Sequence, residues 1–327
     1  MGETPWQAGS PQAPQRRLII DNDFAGDPDG LVQLAHHLLS PSADIRAIVA
    51  SHLGPGAAGG IDLDDSAGAN TVAENLFALM GLDSTDLIVR GAPRMLTAAD
   101  TPAPSPAVSV ILDEALREDT DTPLFYAAGG GLTDLASALL MHPEIAERIT
   151  LVWIGGPEHE GLASPPPCAS PFEYNLGIDL FAAQVVFSAS GLRIWQVPRD
   201  AYRQCLISMA ELRTRMGSAG ALGAFLLEEL EHERTQLLER GGREVGETYA
   251  LGDSPLVLLT VLQSMFEPDS SSSAFATVPT PEITERGRYD TAAGARPMRV
   301  YTRLDTRLMF EDLFAKLGEF ASWQSSS

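Results

Sequence analysis

The stretch Asp21-Asn22-Asp23-Phe24-Ala25-Gly26-Asp27-Pro28-Asp29 follows directly on the apolar run Leu18-Ile19-Ile20. A short apolar run that stops at carboxylates reads as a buried strand carrying oxygen donors to its C-terminal tip. In open α/β sheets that edge is where small ligands bind. Asp21 and Asp23 fall on the same side of an extended strand. Neighbouring carboxylates repel one another, and a cation or a shared proton relieves the repulsion. Oxygen donors suit a hard divalent cation, Ca²⁺ or Mg²⁺. The competing structural role is a helix start, with Asp29 as N-cap before Leu31-Val32-Gln33-Leu34.

Downstream, short β-rich runs alternate with helical patterns. Strands are expected at Leu18–Ile20, Ile45–Ala50, Leu87–Val89, Leu124–Ala128, Ile149–Ile154 and Leu192–Val197. Helices are expected at Leu31–Leu39, Ala67–Met80, Val108–Leu116, Leu132–Leu140 and Leu180–Val186. This rhythm predicts an α/β fold: an open, mostly parallel, Rossmann-like sheet with helices on both faces. Residues 202–240 read as helix broken near Gly217–Gly220, followed by a helix at Leu256–Phe266. Late strands at Ala274–Val278 and Met298–Tyr301, antiparallel or at an edge, precede a closing helix at Leu308–Leu317. The proline-rich segment Pro157–Pro171 is long for a connection, as binding loops and lids often are. One catalytic domain over 16–320 is expected, with flexible tails at 1–15 and 321–327.

The chain carries 44 acidic against 22 basic residues, a formal charge of −22. That balance argues against nucleic acid or an anionic membrane as partner. The polar N-terminus lacks the apolar core of a signal peptide, and no run is long enough to cross a bilayer. A cytoplasmic protein acting on a small molecule is therefore expected. Cys168 and Cys205 are the two cysteines, and neither belongs to a Cys-x-x-Cys pair that would suggest a thiolate metal site. No histidines show zinc spacing; of His36-His37, one is expected to be packed and one exposed. Trp153 and Trp195 lie in apolar strands and read as core, and Asp134 as a brace for the helix at Leu132.

Four blocks together resemble the calcium-dependent nucleoside hydrolases of the inosine–uridine type. The first is the acidic motif, similar to the family's Asp-x-Asp-x-Gly-x-Asp-Asp. The others are Gly130-Gly131-Leu132-Thr133-Asp134, Glu173-Tyr174-Asn175-Leu176 with Asp179, and Gly252-Asp253-Ser254-Pro255. Gly91-Ala92-Pro93-Arg94 adds a weaker element, and the order fits from about residue 18 to 317. The resemblance implies the nucleoside hydrolase fold and metal-dependent hydrolysis of a ribonucleoside's N-glycosidic bond, releasing base and ribose. It implies Ca²⁺ held by Asp23, Asp29, Asp253 and the Gly129 carbonyl. Asp23 would activate a bound water, and Asp21 would orient the site from behind. Asp27, Glu173, Asn175 and Asp253 would bind the sugar, with His52 at the active-site edge. A homodimer or homotetramer is also implied.

The chain departs from that pattern in three places. Pro28 separates Asp27 from Asp29 where the family has adjacent aspartates. One alignment gives Asp27 the ribose and Asp29 the metal; the other gives Asp29 the ribose and leaves Gly30 at a ligand position. The first retains two carboxylates and is preferred. Gly252 stands where the family often has a histidine that protonates the leaving base; His52, His159, Tyr174 and Tyr249 are the replacements the sequence offers. Ser51-His52-Leu53-Gly54 replaces a threonine-rich tip and its ribose-binding asparagine. These departures leave two other readings open: a hydrolase of a non-standard ribosylated or glycosylated substrate, and a non-catalytic sugar or nucleoside binder.

Overall fold

The computed structural model describes residues 14–54, 66–167, 169–170, 172–241, 246–262, 264, 272–290 and 294–326. Its centre is an eight-stranded sheet. In chain order the strands are β1 (Arg16–Asn22), β2 (Ala43–Ala50), β3 (Ile88–Arg90), β4 (Leu124–Ala128), β5 (Ile149–Ile154), β6 (Arg193–Val197), β7 (Ala274–Pro279) and β8 (Pro297–Arg303). Their spatial order is β3-β2-β1-β4-β5-β6-β8-β7. All neighbours pair in parallel except β8 with β7, which is antiparallel at the edge. The expected α/β architecture is therefore the observed one.

Strand side chains alternate between two cores. Leu18 and Ile20 of β1, Phe125 and Ala127 of β4, and Val152 and Ile154 of β5 pack on one face. Ile19, Tyr126, Leu151 and Trp153 pack on the other. Burial on both faces explains why these strands read as continuous apolar runs rather than alternating ones. Helices α1 (Asp29–Leu38), α2 (Ser66–Met80), α7 (Gly220–Gly241), α8 (Pro255–Thr260) and α9 (Thr306–Gln324) cover the first face. Helices α3 (Pro106–Ala115), α4 (Thr133–Met141) and α6 (Leu180–Ser188) cover the second, with α5 (Tyr174–Ile178) leading into α6. Trp153 and Trp195 are core residues, as expected.

Several local expectations are corrected. Asp29 is the first residue of α1 and not its N-cap; Pro28 occupies the cap, and its carbonyl accepts from Leu31 and Val32 N–H groups. Proline suits that place because its fixed φ of −67° is already helical. His36 and His37 are both fully buried, so neither is exposed. The helix expected from Leu256 stops at Thr260. Residues 206–208 form a strand, paired antiparallel with Thr248–Ala250, inside the stretch read as helix. The closing helix reaches Gln324, so residues 321–324, expected in a tail, are helical and follow buried Phe320. Residues 1–13, and Cys168 of the cysteine pair, lie outside the described residues; Cys205 is a free, buried thiol. No helix among the described residues is long and apolar enough to cross a membrane.

Candidate active site

β1 is flanked by β2 on one side and β4 on the other, so the chain leaves these strands in opposite directions. A crevice beyond the strand C-termini follows from that topology. β1 delivers Asp21, Asn22 and Asp23 to it, and β4 delivers Gly129 and Gly130. Successive strand residues point to opposite faces. Asp21 faces the α4 side, where the Tyr126 hydroxyl donates to its Oδ2. Asn22 faces α1 and donates from Nδ2 to Asp253 Oδ2 at 2.9 Å and to Gln33 Oε1 at 3.2 Å. Asp23 lies just past the strand, in a turn closed by Gly26 N–H donating to its carbonyl.

Asp253 comes from the turn before α8. Its backbone N–H donates to Asp29 Oδ2 at 3.0 Å, which brings the start of α1 onto that turn. Asp21, Asp23, Asp29 and Asp253 are all buried. Burial, and then the charge of Asp253, push both Asp23 and Asp29 well above the ordinary carboxylate range. Asp253 is pushed up to about 7 by burial, opposed by the Asn22 hydrogen bond and reinforced by Asp27 and Glu173. Asp21 is pushed up to about 8 by burial and by the charge of Asp134. Asp27 is exposed and accepts from the Tyr249 hydroxyl at 2.8 Å. Of the two aspartates flanking Pro28, Asp29 is the buried one and Asp27 the exposed one.

Gly129 is required by close approach. A Cβ there would overlap Asn22 Nδ2 and lie 2.7 Å from Asp253 Oδ2. Its carbonyl accepts from Asn175 Nδ2 at 2.8 Å, and the same amide donates to Ile154 O at 2.7 Å. Glu173 caps α5 by accepting from the N–H groups of Asn175 and Leu176. It also accepts from Gly156 N–H at 2.6 Å and from the Tyr202 hydroxyl at 2.9 Å. No motif marks Tyr202; its ring sits beside Gly252, 3.6 Å from where a Cβ would be.

Other expected residues turn to neighbours of their own. His52 is buried, with Nε2 at 3.0 Å from Thr133 Oγ1 and Nδ1 at 2.8 Å from the Leu53 carbonyl. His159 meets Gln196 Oε1 at 2.7 Å and packs against Tyr289. Tyr174 is exposed. Asp134 braces α4 as expected, accepting from Ala92 N–H and the Ser105 hydroxyl.

The donor set is chemically suited to a hard cation: three buried carboxylates and a backbone carbonyl, with charges that raise one another's proton affinity. Among the described residues, however, no three acidic, histidine or cysteine side chains are gathered tightly enough to enclose an ion. The Asn22 and Asn175 amides stand at two of the oxygens a cation would need, Asp253 Oδ2 and Gly129 O.

A family model described as inosine-uridine preferring nucleoside hydrolase matches residues 18–311, nearly the whole described fold. The chain belongs to this family. A nucleoside hydrolase of the same description from Leishmania major is 33% identical over 127 residues, covering 38% of this chain and 38% of that protein. The chain thus aligns with about two fifths of that relative's length. Among solved structures, a plant nucleoside hydrolase superposes with a TM-score of 0.70 at 18% identity, covering 93% of this chain and 99% of its own. A purine-preferring ribonucleoside hydrolase from Gardnerella vaginalis superposes with a TM-score of 0.69 at 20% identity, covering 94% and 100%. These two likenesses establish the shared fold of the family.

Proposed function

We propose that this nucleoside hydrolase family member cleaves the N-glycosidic bond of a ribonucleoside with water, releasing base and ribose, and that it does so with Ca²⁺. The observation that carries this reading is that Asp23, Asp29 and Asp253, at the ends of β1 and α1 and in the turn before α8, are all buried and feel one another's charge. Such a set of buried carboxylates is unstable without protons or a cation.

Asp23, Asp29, Asp253 and the Gly129 carbonyl would hold the ion. When bound, the ion supplies polarisation of the attacking water and a binding point for ribose hydroxyls. Asp23 accepts the water's proton on its carboxylate as the bond to the base breaks. The remaining carboxylates stabilise the positive charge that develops on the sugar. Asp21, held by Tyr126 from behind, fixes the end of β1. Asn175, whose amide donates to the Gly129 and Ile154 carbonyls, would meet the sugar, and exposed Asp27 would do so from the other side of the turn.

A second reading is favoured by Glu173 and His52. Four protein donors already satisfy the Glu173 carboxylate, and His52 is engaged with Thr133 and Leu53. Both are therefore less available to a ribose than the resemblance implies. That favours an altered ribosylated or glycosylated substrate over a standard nucleoside.

The test is release of free base and free sugar from inosine, adenosine, guanosine, uridine, cytidine and nicotinamide riboside, with added Ca²⁺ and after chelation. Calcium-dependent release of both products supports the proposal. A folded protein that binds Ca²⁺ but releases nothing from any of the six turns the choice to the altered substrate or to a binding role.

A further inference from the structure

Helix α1 carries three polar residues on one stripe, Asp29, Gln33 and His37, spaced four apart. All three are buried, Gln33 and His37 completely, in a helix whose other buried residues are Gly30, Leu, Val, Ala and His36, the last turned to Asp312. Asp29 belongs to the carboxylate cluster. The cluster does not explain why Gln33 and His37 are polar, since neither touches a carboxylate.

Their hydrogen bonds run in one direction. The Thr260 hydroxyl donates to the Leu256 carbonyl at 2.6 Å, so its oxygen is left to accept from His37 Nε2 at 2.9 Å. His37 is therefore protonated on Nε2, and its Nδ1 accepts from Gln33 Nε2. That turns Gln33 Oε1 toward Asn22 Nδ2, which it accepts at 3.2 Å. The second N–H of Asn22 goes to Asp253 Oδ2 at 2.9 Å. The hydrogen bonds between Leu256 and Asp253 have one consistent orientation, with Asn22 Oδ1 left without a hydrogen-bond partner among the described residues, and reversing any single amide would set like atoms face to face.

The path is also a closed ring. Asp253 and Thr260 lie on one segment, at the two ends of α8. From Thr260 the bonds cross to His37 and Gln33 on α1, then to Asn22 on β1, and return to Asp253. At the near end, Asp29 of α1 accepts from the Asp253 backbone N–H. Helices α1 and α8 are thus fastened at both ends, and the Asp253 carboxylate is held through Oδ2, leaving Oδ1 to face a cation.

We propose that Asn22, Gln33, His37 and Thr260 are positioning residues that orient the Asp253 carboxylate for a divalent cation. This rests on the cation reading above. Gln33 and Thr260 are the links to break, because neither contacts a carboxylate of the site. Outer partners of this kind change metal affinity by about 10–100-fold when removed.

The test is calorimetric titration of chelator-stripped protein with Ca²⁺, for wild type, Gln33→Met, Thr260→Val and the double variant, alongside metal-free melting curves. The expected result is a loss of Ca²⁺ affinity of about tenfold or more in each single variant. The double variant is expected to lose no more than the worse single one, because both cut the same path. Metal-free melting is expected to fall far less than the affinity loss requires. Wild-type Ca²⁺ affinity in folded single variants, or additive losses in the double, overturns the relay and leaves the hydrolase reading standing. If wild type itself binds no Ca²⁺, the cation reading falls and the relay with it. If Gln33→Met does not fold, Thr260→Val decides alone, since it removes a hydroxyl while keeping the side chain's shape.

Discussion

The Asp253 backbone N–H donates to Asp29 Oδ2 across 3.0 Å, joining residues 224 positions apart in the chain. The bond needs an oxygen at position 29 but not a charge. Asp29→Asn keeps the oxygen and removes the charge, whereas Asp29→Ala removes both. Asp29→Asn is expected to melt at or above the wild-type temperature without metal, because a buried repulsion is gone. It should also bind Ca²⁺ at least about tenfold more weakly, having lost an ionic ligand. Asp29→Ala is expected to lose stability as well, by about 1–3 kcal/mol for the unpaired Asp253 N–H. Calorimetry and melting curves on both variants separate the two roles. Wild-type Ca²⁺ affinity in Asp29→Asn would remove Asp29 from the ligand set.

Asp23 has the same electrostatic problem and a different task. Burial and the Asp253 charge raise its proton affinity, which makes it a stronger base once deprotonated. Asp23→Asn is expected to fold, with metal-free stability equal to or above wild type. Turnover is expected to fall by about 10²–10⁴-fold, the usual contribution of a positioned base. Product release under single-turnover conditions, with circular dichroism as a check on folding, measures this. Near-wild-type turnover in the folded variant would rule out the base role.

His36 offers a pH-dependent stability outside the site. It is fully buried, and burial lowers its pKa to about 4, against the favourable bond to Asp312 Oδ2 at 2.7 Å. An unfolded histidine titrates near 6.5. Between those values the unfolded chain binds more protons than the folded one, so stability rises with pH there. The contribution is complete above about 6.5 and is lost as pH falls toward 4, by about 3 kcal/mol in all. His36→Gln is expected to remove this acid sensitivity. Urea unfolding of both proteins at intervals from pH 4 to 7.5 tests it: the stability difference between them must change across that window. A constant difference would mean that His36 takes up its proton as readily in the folded protein as in the unfolded chain.

The sheet is readable because burial on two faces demands long apolar runs, and β4 is bounded by Pro123 and Gly129. The acidic motif marked the site for a related reason: carboxylates beside a buried strand are costly unless they serve something. What lay beyond reach was pairing across the fold. Nothing near Asn22 announces a bond to Asp253, 231 positions away. The Tyr202 hydroxyl meets Glu173 only because the segment after β6 packs against α5. The α1 stripe was the readable signal that went unused: Asp29, Gln33 and His37 recur every four residues in an apolar helix, which places them on one buried face. Treating His36-His37 as a packed and an exposed pair missed that His36 has its own partner in Asp312 on α9.

Gly252 provides the most direct test of how the leaving base departs. A Cβ there would stand 3.4 Å from Asp29 Oδ2 and 3.6 Å from the Tyr202 ring, both ordinary contacts. Space at the Cβ therefore does not enforce glycine, and Gly252→His is expected to fold at a cost of about 1–3 kcal/mol for the bulk added at a buried position. The imidazole would enter beside Tyr202, whereas His52, His159 and Tyr249 are already engaged with other groups. If the wild-type site lacks a proton donor for the base, the new histidine raises kcat for inosine by about tenfold or more. It leaves unchanged the cleavage of a riboside whose nitrophenolate departs without a proton. Equal gains on both substrates would indicate a change in sugar binding. No gain on inosine, with the fold intact, would mean that this enzyme activates its leaving group elsewhere; Tyr202, hydrogen-bonded to Glu173, is then the side chain to replace next.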